Sequence, residues 1–317
     1  MIICHRVYIS LYTRRSLSMH RLSSGKIITL LCAIILIPGG LYYLYLPYFD
    51  QLCKNVCAQL IQYTKDGKLN IGLTYKSFKL ANPAHMNISD KLTYLQDKDT
   101  GFQVSCKYHA VQAAFFTSEK PHRRLFGKYP LTGNLMLQMR HDSLIGLPGG
   151  GGKVGETLMQ ALSREIHEEL GRVLRSQMKY ELSYWNPDFQ YCGHLFSQEM
   201  SFEELRQLMM DATASEDTGF ENMGYFFLPI LNEVDDDPGY DGFPTFIAQA
   251  ISPKSPPTVV GNTLQQLIYV LTESTTPPIL STAHLQLGIT KACQLIEKSS
   301  CGSTSKLLGA TLSNFYQ

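Results

Sequence analysis

The chain has 317 residues, a formal net charge of +1 and 44% hydrophobic residues, ample for one buried core plus extensions. The near-zero total hides two regions of opposite sign: residues 1–104 carry 12 Lys and Arg against 5 Asp and Glu, whereas residues 105–275 carry 13 against 21. An acidic region of that kind argues against a long nucleic-acid track, which needs basic surface to displace counterions, and favours a small ligand or a nucleic-acid end.

Taken in chain order, residues 1–26 are basic, with Arg6, Arg14, Arg15, Arg21 and Lys26 and no acidic residue. Ile27 to Phe49 follows as 23 residues without a charge, long enough to cross a bilayer. This predicts an N-terminal hydrophobic anchor, with a membrane as partner through residues 27–49. Pro38-Gly39-Gly40 interrupts the segment, so a cleaved secretory signal competes with the anchor, and the Arg/Ser-rich start also suits a mitochondrial presequence. Positive flanking charge places the N-terminus in the cytosol and the rest of a single-pass protein in the lumen or outside, where Asn87-Ile88-Ser89 is a glycosylation sequon. Without translation of the upstream residues the alternative is nuclear or cytoplasmic. Residues 50–104 read as a linker or extension with local helix and strand. The eight cysteines are scattered and form no CxxC pair, which favours free thiols.

Residues 105–275 read as one folded domain. Strands are predicted near 107–116, 135–140, 178–184, 189–196 and 223–229, and helices after Thr157, Ser201 and Thr258. Thr157 with Gln160, and Ser201 with Glu204, have the form of capping boxes. The tail, 276–317, follows "ESTTPP" and reads as weakly ordered.

The chemistry concentrates in "LPGGGGKVGETLMQALSREIHEELG", Leu147 to Gly171. The helix is predicted from Thr157 to about Leu174. At 100° per residue from Leu158, the residues Leu162, Val173, Ile166 and Leu170 lie between about 40° and 120° and define the buried side. Glu169 falls inside that arc at about 20°, Glu165 at its edge near 340° and Glu168 at about 280°. A solvated charge run does not cluster at a buried edge. Partly desolvated carboxylates repel one another unless a cation compensates, and residues at i, i+3 and i+4 can converge on a hard divalent ion.

Gly150, five residues, Glu156, seven residues, then Arg164-Glu165-Ile166-His167-Glu168-Glu169-Leu170-Gly171 resembles the box of the Nudix hydrolases. Arg172 departs from it, standing where an apolar residue is expected. The resemblance implies an α/β (α+β) fold with a mixed sheet sandwiched between helices. It also implies Mg, with Mn as the alternative, held by Glu165, Glu168 and Glu169, and Gly150, Glu156, Arg164 and Gly171 supporting the box. Arg164 is expected to pair with Glu156, and Glu221 is a candidate additional ligand. The segments around the box are similar to a Nudix subfamily that includes RNA-decapping and inosine-diphosphatase enzymes, and that resemblance places His109, Arg140 and Gln266 at the purine. Where those relatives carry aromatic rings this chain has Leu147 and Gly151, with Tyr108, Phe115 or Phe243 as candidate replacements. The function expected is Mg-dependent hydrolysis of a pyrophosphate bond in purine nucleoside di- or triphosphates, inosine-type favoured, releasing a nucleoside monophosphate. The alternatives are removal of an RNA 5' cap or nucleotide adduct, with a capped RNA end as partner, and a silent membrane-anchored nucleotide-binding module. A homodimer is an open alternative.

Overall fold

The computed structural model describes residues 75–89, 92–120, 124–129, 131–172, 178–230 and 258–282, with 246–247, 250, 285–286 and 289–294. In chain order the strands are β1 (Lys76–Phe78), β2 (Thr93–Gln96), β3 (Gln103–Cys106), β4 (Tyr108–Thr117), β5 (Gly133–Arg140), β6 (Ile145–Gly146) and β7 (Gly149–Gly151). Helix α1 (Leu158–Leu170) follows, then β8 (Lys179–Asn186), β9 (Tyr191–Glu199), α2 (Phe202–Ala212), β10 (Asn222–Ile230) and α3 (Thr263–Glu273).

The main sheet runs β1-β8-β9-β4-β5-β10, with β6 against β5 and β7 against β4. β4 and β9 pair in parallel from Tyr108↔Tyr191 to Phe116↔Glu199, and the other pairs are antiparallel. The sheet is therefore mixed, and its two faces carry separate cores. Val111, Ala113 and Phe115 of β4 pack with Leu158, Leu162, Ile166 and Leu170 of α1 and with Leu205 and Leu208 of α2. Ala114 and Phe116, one residue out of phase, pack with Leu264, Leu267, Ile268 and Leu271 of α3. Alternation along one strand thus sends neighbouring residues to opposite layers, and covering both faces explains why "AVQAAFF" is almost continuously apolar.

Several expectations need correction. Helix α1 stops at Leu170 because Gly171, at φ 65°, adopts the left-handed cap and returns its N–H to the His167 carbonyl, four residues before the expected end. The 50–104 extension is part of the domain where it is described: β1 pairs with β8, and Phe78, Leu80, Ile88 and Leu95 are buried. Beyond residue 275, Leu285, Ile289 and Cys293 recur at four-residue spacing and are buried in the α3-side core, so the expected weakly ordered tail contributes packing there. Cys106 and Cys192 are a disulfide rather than free thiols, with Cα atoms 5.6 Å apart.

The single-pass anchor, and with it the lumenal or extracellular localisation, is withdrawn. Among the described residues no helix is long and apolar enough to cross a membrane. The longest of α1, α2 and α3 has 13 residues, against about 20 for a span. Residues 27–49 lie outside the described residues, and neither membrane partnering nor a homodimer is carried forward.

Candidate active site

The site is built outward from α1. Thr157 caps it as the sequence predicts: its hydroxyl accepts from the Gln160 N–H at 3.2 Å, while the Gln160 side chain accepts from the Thr157 N–H at 2.8 Å. The cap fixes the phase of the helix, and the glutamates fall in the predicted order of burial. Glu169 is 6% exposed, the Glu165 side chain 13% and the Glu168 side chain 38%.

Arg164 ties these groups to the glycine loop. Its Nε and Nη2 donate to both oxygens of Glu156 at 2.7 and 3.1 Å, Nη1 donates to Glu165 at 2.7 Å and Glu168 at 2.9 Å, and Nη2 also donates to the Gly151 carbonyl at 2.8 Å. The expected Arg164–Glu156 pair is present, and Glu156 in turn accepts from the Lys153 N–H at 2.8 Å. The glycines are ordered in the sheet, where Gly149–Gly151 form β7 against β4. At Gly150 a Cβ would stand 2.5 Å from the Glu165 carboxylate, so only glycine admits the carboxylate there.

Glu169 is held by two donors, the Gln138 side chain at 2.8 Å and the Gly149 N–H at 2.7 Å. Burial nevertheless pushes its carboxyl up to about 7, with the charges of Glu165 and Asp217 adding to the effect. Burial raises Glu165 too, against the pull of Arg164. Asp217, on the loop after α2, is raised by burial and by repulsion from Glu221, Glu168 and Glu216. Carboxylates from α1 and from this loop therefore face a common space. Asp217 and Gln138 escaped the sequence reading. The acidic run "SEDTGFEN" was the available signal for Asp217, whereas nothing marks a glutamine within an apolar strand as a glutamate's partner.

Among the described residues no three His, Cys, Asp or Glu side chains already converge as a metal cage. Arg164 engages Glu156, Glu165 and Glu168. The donor set suits a hard cation all the same: it consists of carboxylate oxygens, and burial raises the protonation of Glu165, Glu169 and Asp217, with neighbouring carboxylates adding to it.

The residues expected at the purine divide between the two faces. Gln266 is fully buried on α3, and its Nε2 donates to Gln112 Oε1 at 3.1 Å. Gln112 Nε2 donates in turn to the Tyr191 hydroxyl at 3.3 Å. Arg140 ends β5 in a pair with Asp142 at 3.1 Å, and its charge reaches Tyr191, where it opposes the upward shift that burial causes. His109 is elsewhere. It points to the α1 face and meets His194 at 3.0 Å, and His194 meets Ser183 at 2.7 Å. Gln266 is thus joined through Gln112 to Tyr191, within electrostatic reach of Arg140, and His109 lies on the other face. Leu147 is buried among α3-side residues, while a Cβ at Gly151 would meet open space. Of the candidate replacement rings, Tyr108 is exposed, Phe115 is core and Phe243 lies outside the described residues. A cavity of about 590 Å³ lined by Tyr75, Tyr184, Tyr269 and Asp97 includes none of the α1 glutamates.

A family model described as Nudt16-like, "U8 snoRNA-decapping enzyme-like", matches residues 109–276, just over half of the chain. The chain belongs to that family. It is a Nudix hydrolase, of the class that acts on phosphoric anhydrides. Curated relatives of this Nudt16-like chain include a U8 snoRNA-decapping enzyme of Homalodisca vitripennis, 30% identical over 50% of this chain and 87% of that one. A protein of the same name from Xenopus laevis is 28% identical over 55% and 79%. A Tudor-interacting repair regulator protein of Gallus gallus is 30% identical over 46% of this chain and 44% of its own length. Among solved structures, a mutT/nudix family protein from Listeria innocua is 14% identical over 61% of this chain and 96% of that one, with a TM-score of 0.30 that carries no weight.

Proposed function

We propose that this Nudix hydrolase cleaves a pyrophosphate bond in purine nucleoside di- or triphosphates, inosine-type favoured, releasing a nucleoside monophosphate. The observation that carries the reading is the buried edge of α1, where Glu165, Glu168 and Glu169 are presented beside Gly149–Gly151 and opposite Asp217. Bare carboxylates repel a polyanion, so the reading requires Mg, or Mn, held by Glu165, Glu168 and Glu169 with Asp217 and Glu221 at hand. When bound, such an ion neutralises phosphate charge and lowers the pKa of a water. The chain's own contribution is placement: Arg164 holds the loop and two glutamates in one frame, and Gln138 with the Gly149 N–H fixes the Glu169 carboxylate. Water oxygen attacks phosphorus and the anhydride P–O bond breaks, giving two phosphate products.

The names of the decapping relatives support a second reading, removal of an RNA 5' cap. The acidic balance of residues 105–275 suits a terminal group better than an RNA track. Retention of all three glutamates argues against a silent nucleotide-binding module. The test is hydrolysis by the purified chain across a Mg and Mn titration, with inosine, guanosine and adenosine di- and triphosphates and capped RNA as substrates. Faster turnover of an inosine nucleotide is expected, and turnover of capped RNA alone would favour the second reading.

A further inference from the structure

The α3 side of the sheet holds a hydrogen-bonded row of neutral groups whose far end has no partner among the described residues. Tyr191 Oη accepts from Gln112 Nε2 at 3.3 Å, and Gln112 Oε1 accepts from Gln266 Nε2 at 3.1 Å. Gln266 Oε1 is buried and accepts from no group among the described residues. One turn earlier on the same side of the helix, Asn262 Nδ2 is also buried without a partner. A buried acceptor and a buried donor left open four residues apart are costly unless a ligand or a water satisfies them. Gly193 keeps the row open, since a Cβ there would stand 3.2 Å from Tyr191 Oη and 3.3 Å from Gln112 Oε1.

The row can be satisfied in two senses. A hydroxyl both donates and accepts, and an amide turned by 180° exchanges its carbonyl for its NH₂. With Tyr191 accepting, Gln266 presents a carbonyl, as it does here. With Tyr191 donating to Gln112, both amides turn and Gln266 presents an NH₂. No bond within the row is lost by the change. A 6-oxopurine offers an N1–H donor beside an O6 acceptor, and a 6-aminopurine offers an N1 acceptor beside an N6–H donor. The two senses therefore match the two purine classes.

We propose that Tyr191, Gln112 and Gln266 form a reversible amide relay that sets which purine edge the site accepts, with Gln112 as the specificity-determining residue. This rests on the purine reading of the site given above. Gln112→Glu, which can only accept, forces Gln266 Nε2 inward and locks its carbonyl toward the ligand. Gln112→Lys, which can only donate, locks the opposite sense.

Binding of inosine monophosphate and adenosine monophosphate to the full chain and to each variant, measured by titration calorimetry with melting curves as the fold control, tests this without relying on turnover. Taking the ratio of the two affinities cancels effects of the new charge on the phosphate. Gln112→Glu is expected to shift the ratio toward inosine monophosphate by about tenfold or more, the scale of one hydrogen bond, and Gln112→Lys to shift it the other way. If one variant fails to melt cooperatively, the other carries the test. Binding by the wild type with ratios within twofold in the folded variants overturns the relay alone. Binding of neither nucleotide by the wild type overturns the purine reading and the relay with it.

Discussion

The two faces of the sheet satisfy their polar groups in different ways. On the α1 face, carboxylates crowd around one guanidinium, and burial pushes the protonation of Glu165 and Glu169 upward. On the α3 face, neutral amides and a hydroxyl pass one hydrogen bond along a row and leave one acceptor open. Charge suits the first to polyanion chemistry and neutrality suits the second to reading a base. The contrast shows why one was visible in the sequence and the other was not: charges at a buried edge are anomalous in any context, whereas glutamines in apolar strands and helices are anomalous only once their neighbours are known.

The largest effect should come from the charged face. Glu169→Gln keeps both hydrogen-bond partners within reach but removes the charge that a cation needs, so turnover should fall by about 10²-fold or more. Cooperative melting should survive and, without metal, move upward as repulsion from Glu165 and Asp217 is relieved. Assays across a Mg titration, paired with thermal melts, separate these outcomes, and full turnover would remove the metal assignment. A smaller loss is expected from Gly150→Ala. The added Cβ displaces the Glu165 carboxylate, for which turnover should fall between about tenfold and 10²-fold with little change in melting temperature. An unchanged rate would show that the close approach has no catalytic consequence.

The buried histidine pair on the α1 face gives a pH signature distinct from catalysis. Burial lowers His109 to about 4 and carries His194 below the ordinary histidine range. The unfolded imidazoles take up protons near 6.5 while the folded ones stay neutral. Stability should therefore be level above about pH 6.5 and decline as pH falls from 6.5 toward 4, by about 2–4 °C in melting temperature per kcal/mol lost. His109→Gln should flatten that decline, and an unaltered slope would place its origin elsewhere. Away from both faces, Asp97 accepts from the Lys79, Asp99 and Thr100 backbones and the Thr100 hydroxyl, which lowers its carboxyl from 3.8 to about 2. Its contribution is present above about pH 4 and lost as pH falls toward 2. Asp97→Asn should shrink the acid-side loss in melting temperature by a smaller amount than His109→Gln.

How much was legible followed from how local each signal is. The α1 phase, its cap and the burial order of the three glutamates depend on spacing within one helix, and the sequence carries them, whereas its end was expected near Leu174 and falls at Leu170. Five strands, β4, β5, β8, β9 and β10, were also readable, because each is a bounded apolar run, whereas the two-residue β6 and the all-glycine β7 carry no such signal. The burial of Phe78 and Leu80 was not, since β1 is short and gains its place only by pairing with β8 about 100 residues later. His109 and Gln112 show how strand phase decides a side chain's neighbours: alternation along β4 sends His109 to the face opposite Gln266, while Gln112, three residues on, reaches Gln266 directly. That phase could be fixed only when both cores were known.

The division of labour between the two faces is tested most directly by steady-state kinetics of Glu169→Gln and Gln266→Leu on one purine nucleotide at saturating Mg. Glu169→Gln should lose kcat by about 10²-fold with KM changed little. Gln266→Leu, which leaves the α1 face untouched and removes one base contact, should raise KM by about tenfold with kcat within about threefold of the wild type. A near-normal kcat in Glu169→Gln, or a loss of kcat in Gln266→Leu as large as that expected for Glu169→Gln, would contradict the assignment of chemistry to one face and base recognition to the other.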